Sequence, residues 1–147
     1  MHAILFVWPN TVATNSHTFQ TGHFADILPT ICDAAGIAPS EIENIDGKSL
    51  VPVLKGGTIK ERTLLWQMDL YTNFQNQGEK PKPYATSVAL KGNMKLLADS
   101  LQPVELFDLT QDHREIYNLL KEREEVTDEL QKEIKKYHAE SRLECCI

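Results

Sequence analysis

The sequence predicts an α+β fold in which a small antiparallel sheet of three to four strands carries helices packed on one face. Three observations lead there. Four short apolar or alternating runs between Thr63 and Leu109 are separated by turn residues, the pattern of strands joined by hairpins. Val126, Leu130, Ile134 and Tyr137 form an i, i+4, i+8, i+11 stripe in an otherwise charged segment, the pattern of an amphipathic helix. Phe24, Ile27, Leu28, Ile31, Cys32 and Ala35 also recur at helical spacing.

Each element follows from local signals. Residues 3–8 are continuously apolar and stopped by Pro9 and Asn10, which predicts a strand buried on both faces. A polar loop runs to about Gly22. A helix over about 27–35 follows, with Asp26 as its N-cap, Pro29 in the tolerated first turn and Gly36 closing its C-terminus. Pro39, Asp46-Gly47 and Gly56-Gly57 divide the next stretch into turns around the apolar patch 50–54. Strands are expected at 63–68, 85–90, 94–98 and 104–109, with Lys91-Gly92-Asn93 as a tight hairpin turn. Between the first two, Tyr71 to Pro83 is polar and reads as a long loop. Ile116, Leu119 and Leu120 mark a short helix after Asp112, ahead of the long C-terminal helix. No internal repeat is visible.

At 147 residues the chain has the length of one domain able to bury a real core. Hydrophobic residues at 41% and charged ones at 24% place it among folded, not disordered, chains. The longest apolar run is residues 3–8, far short of the ~20 residues of a membrane-spanning helix. It also lacks the basic lead-in and cleavage site of a signal peptide. The formal net charge is -6, with 15 Lys and Arg scattered among 21 acids and no basic stripe. That balance argues against nucleic acid and against an anionic membrane surface as partners.

Chemistry-bearing motifs are scarce. Cys32 falls within the helical run and reads as a buried structural thiol, with a nucleophile as the alternative. Cys145 and Cys146 are adjacent on a polar tail, where a disulfide framework is not expected. A frayed tail is the plain reading there, with lipidation or soft-metal binding alongside His138 as the alternatives. His2, His17, His23, His113 and His138 show no metal-ligand spacing. No acidic pair is singled out, and neither a Gly-rich phosphate loop nor a Gly-x-Ser-x-Gly elbow occurs. His23 is the one candidate for substrate binding. It lies just before the first helix, where a substrate group would meet both an imidazole and free backbone N–H donors.

Four phrases in order nevertheless carry a specific resemblance. Phe24-Ala-Asp-Ile-Leu-Pro-Thr-Ile-Cys-Asp-Ala-Ala-Gly36 resembles the Asp-x-x-Pro-Thr helix ending in Ala-Gly of arylsulfatase-type sulfatases. Asp46-Gly-Lys-Ser-Leu-Val-Pro-Val-Leu-Lys-Gly56 resembles their Asp-Gly-x-Ser-Leu-x-Pro-x-Leu segment. Lys91-Gly-Asn-Met-Lys-Leu96 is similar to their Lys-x-Gly-x-x-Lys-Leu hairpin. Residues 105–119 are similar to their Glu-Leu-Tyr-Asp-Leu, Asp-Pro-x-Glu, Asn-Leu stretch. Together these cover about residues 3 to 120.

The resemblance is to the C-terminal portion of that family. It implies that 1–60 is the end of the large sulfatase domain and 61–147 the small C-terminal sheet and helices. Family members make a formylglycine nucleophile from a Cys/Ser-x-Pro/Ala-x-Arg motif and hold calcium with Asp-Asp and Asp-Asn pairs. Here Cys32 is followed by Asp-Ala-Ala-Gly, and neither dipeptide occurs. No catalytic or metal residue carries over, and no cofactor is expected in this chain, calcium being expected only in the full-length family member. Sulfate-ester hydrolysis needs both an activated nucleophile and a cation, so the chain alone is expected to be inactive. The resemblance implies a scaffold that buttresses a catalytic domain, with His23 and the loop 71–83 as possible contacts to a sulfated substrate. Its expected partners are that missing N-terminal catalytic domain or, without it, a second copy. The alternatives are a free-standing glycan- or protein-binding module, or part of a related alkaline phosphatase superfamily phosphodiesterase. Most sulfatases of this type are exported or lysosomal, but nothing in the chain itself fixes a compartment.

Overall fold

A computed structural model describes residues 4–38, 45–67 and 85–144. Where length suggested one domain, the chain divides into two compact units, residues 1–60 and 61–147.

In the first unit a 3-10 turn, Phe24–Asp26, runs directly into helix α1, Ile27–Ala34. Gly36 ends it with φ of 85°, a left-handed conformation that costs glycine little. The N–H of Gly36 donates to Asp33 O (3.0 Å) and that of Ile37 to Cys32 O (2.9 Å), a Schellman cap. The apolar patch between the expected turns is a one-turn helix, α2 (Val51–Leu54), with Pro52 in its first turn, where no N–H is required. Gly56, also at φ 85°, closes α2 in the same way, with Gly57 N–H donating to Pro52 O at 2.8 Å.

The expected strand at 3–8 is absent over its described part. Residues 4–8 pair with no strand among the described residues, and Leu5 and Val7 are exposed. An apolar run becomes a strand only when a neighbouring strand takes its backbone hydrogen bonds, and none among the described residues does. Pro39 and the loop 71–83 lie outside the described residues.

The second unit is an antiparallel sheet of four strands in the order β1-β2-β3-β4: Leu64–Gln67, Ser87–Lys91, Met94–Asp99 and Gln102–Asp108. Gly92, at φ 57°, turns the β2–β3 hairpin, and Ser100, also at φ 57°, turns the β3–β4 hairpin. The register aligns Leu65, Ala89, Leu96 and Leu106 in one cross-strand row. Helix α3, Glu124–Glu144, covers that row with Leu130 and Ile134, and the small Ala89 and Ala98 let it approach closely. The sequence stripe is right at Leu130 and Ile134 and wrong at its end. Tyr137 stays 38% exposed, and the next residue, His138, takes the inward place, its Nε2 lying 2.9 Å from Ser87 Oγ.

β4 is an edge strand, and the chain covers it. Leu119 N–H donates to Leu106 O (2.8 Å), and the Asn118 amide accepts from Leu106 N–H (3.1 Å) and donates to Val104 O (3.3 Å). Pro103, which cannot donate to a ladder, sits on this edge beside a register shift at Leu97/Ala98.

The short helix expected after Asp112 does not form. The Asp112 carboxylate accepts the N–H groups of Ile116 (2.6 Å) and Tyr117 (2.7 Å), giving the backbone a turn in place of a helix. Glu115 adopts φ 57°, and its carboxylate pairs with Lys95 Nζ through both oxygens. Donation by Tyr117 N–H, and then by Ile116, holds the Asp112 carboxyl below the usual aspartate range. A depressed pKa adds stability above the unfolded value, and that stability is lost as pH falls through the folded value. The turn should therefore loosen in acid. An NMR titration should show the Ile116 and Tyr117 amide shifts moving together with an apparent pKa below that of a free aspartate; a midpoint at or above the free value would contradict the turn.

Candidate functional site

α1 is an inverted amphipathic helix. Asp26, Thr30 and Asp33, spaced i, i+4, i+7, face inward onto the segment 46–50, while Phe24, Leu28 and Ile31 face solvent. Asp26 is fully buried, and its carboxylate accepts His23 N–H (2.7 Å) and, across 22 positions, Lys48 N–H (2.8 Å). Thr30 Oγ1 donates to Asp26 O (2.5 Å) and accepts Leu50 N–H (2.9 Å). Ser49 Oγ donates to the Asp33 carboxylate and accepts Val51 N–H at 3.1 Å. Gly47 passes so near the start of the helix that a Cβ would lie 1.9 Å from Ala25 O. Pro29, Leu50, Val51 and Val53 fill the apolar part of this unit. The first two of the four sulfatase-like phrases are thereby accounted for as the two halves of one lock.

Asp26 stands at the N-cap of α1 but makes no side-chain bond to that helix. The 3-10 turn before it displaces the capping role to His23, whose Nδ1 accepts Ala25 N–H at 3.1 Å while Asp26 closes the box on His23 N–H. Accepting at Nδ1 places the proton of a neutral ring on Nε2, which is itself buried. The donors expected to be free are engaged: Asp26 N–H bonds His23 O at 2.9 Å, and Ile27 N–H bonds Phe24 O. His23 therefore acts as a cap in this geometry. His23→Ala should lower the melting temperature, by about 1 kcal/mol of lost capping, and His23→Asn, with an acceptor of its own, should restore most of it. Equal loss in both variants would sink the capping role.

The remaining candidates stay apart. His17 lies edge-on to Phe19 with ring centroids 5.8 Å apart, His113 is exposed, and Cys32 is a half-buried free thiol on α1. Cys145 and Cys146 lie outside the described residues. Among the described residues no three His, Cys, Asp or Glu side chains converge to hold a metal ion. No helix among them is long and apolar enough to cross a membrane. Sequence reading missed the lock, though the polar i, i+4, i+7 spacing of Asp26, Thr30 and Asp33 was its available signal.

In chain order, a helix locked to an Asp-Gly-x-Ser-Leu segment is followed by a four-stranded antiparallel sheet backed by one long helix. The chain belongs to the family described as N-sulphoglucosamine sulphohydrolase, C-terminal, which matches residues 2–140. It is 33% identical over 110 residues to a choline-sulfatase of Rhizobium meliloti, covering 74% of this chain and 19% of that protein. It is 30% identical over 59 residues to an N-acetylgalactosamine-6-sulfatase of Canis lupus familiaris, covering 40% of this chain and 11% of that one. A crystal structure from Bacteroides thetaiotaomicron, described provisionally as a sulfatase, shares the fold with a TM-score of 0.53 at 24% identity. That match covers 80% of this chain and 24% of the other. The chain thus spans about a fifth of the length of the choline-sulfatase.

Proposed function

We propose that this chain serves a sulfuric ester hydrolase as a scaffold without catalytic groups of its own, seated on the remainder of the enzyme through the outer face of α1. The observation that carries the reading is the inversion of that helix. Phe24 (74%), Leu28 (55%) and Ile31 (60%) stay exposed although polar partners hold the opposite face firmly in place. Covering the three would contribute roughly 3–6 kcal/mol before the costs of association. A lock that turns apolar side chains outward makes sense when another apolar surface receives them. In the absence of the catalytic part, a second copy of the chain is the available cover.

Two measurements test this. Purified chain, given an aryl sulfate and calcium with a phosphate ester as control, should show no turnover; clear hydrolysis of the sulfate would overturn the scaffold reading. Light scattering at tens of micromolar should report a dimer or larger species, reverting to monomer in the Leu28→Glu, Ile31→Glu double variant. Both side chains are exposed, so the lock should survive, which circular dichroism can verify. A monomeric mass for the unaltered chain would remove the docking face.

A further inference from the structure

We draw no further inference here: the strongest candidate, the outward apolar face of α1, is the surface already assigned above to the remainder of the enzyme, and nothing in the structure shows a different occupant for it.

Discussion

A Gly47→Ala variant is expected to lose the native packing of the segment 46–50 on α1, because its new methyl group has nowhere to go. The Cβ would lie 1.9 Å from Ala25 O, 2.3 Å from Ala25 C and 2.8 Å from Asp26 N, all of them backbone atoms. Those atoms are held by the His23–Asp26 capping box on one side and by the Asp26–Lys48 bond on the other, so relief on either side breaks a partly buried hydrogen bond. Overpacking costs about 1–3 kcal/mol where side chains can shift, and a backbone clash belongs at or above the top of that range. Hydrogen exchange at the Lys48 and Leu50 amides reads the lock directly, and both should lose protection. Gly36→Ala is the contrasting case. It meets nothing within 4 Å, and its φ of 85° leaves only left-handed strain, about 1–2 kcal/mol. If Gly47→Ala keeps both amides as protected as in the unaltered chain, the lock is wrongly drawn.

Leu130→Ala should produce a large loss of stability in the second unit. Leu130 is completely buried among Ala89, Leu96, Leu106 and Ile134. Truncating a buried leucine costs about 2–5 kcal/mol, depending on how far the cavity closes. A unit of this size has roughly 5–15 kcal/mol in total, so much of its stability is at stake. Urea unfolding should show a lower midpoint with an unchanged slope. Tyr137→Ala, on the exposed side of α3, should shift the midpoint far less. Equal shifts from the two would restore the stripe read from sequence and displace His138 from the inward face.

The sheet was legible because its signals are local. Alternating runs, the Gly92 turn and the Leu130–Ile134 spacing each act within a few residues, and all appear where expected. The second unit departed from expectation where a side chain competed with the backbone, at Asp112 and Glu115, and at the end of the α3 stripe, where His138 turns inward in place of Tyr137. In the first unit the period was right and the direction of the helix faces was hidden. Apolar spacing at 24, 28 and 31 says that one face wants cover without saying whether this chain supplies it. Here the inward face is polar, and its partners, Lys48, Ser49 and Leu50, lie 16 to 22 positions away. The segment 4–8 misled for the same reason: its apolar character promised a neighbour that the described residues do not contain. The capping role of His23 was hidden because the 3-10 turn that employs it leaves no sequence mark.

The Asn118 clamp on β4 makes the sheet directional. With Leu106 hydrogen-bonded on its outer side and Pro103 beside it, that margin cannot template an incoming strand. The opposite margin, β1, has no strand beyond it among the described residues. Any fibril-like growth by strand addition would therefore proceed from β1 alone and stop after one step, because each added copy presents its blocked margin wherever its own β1 has been used.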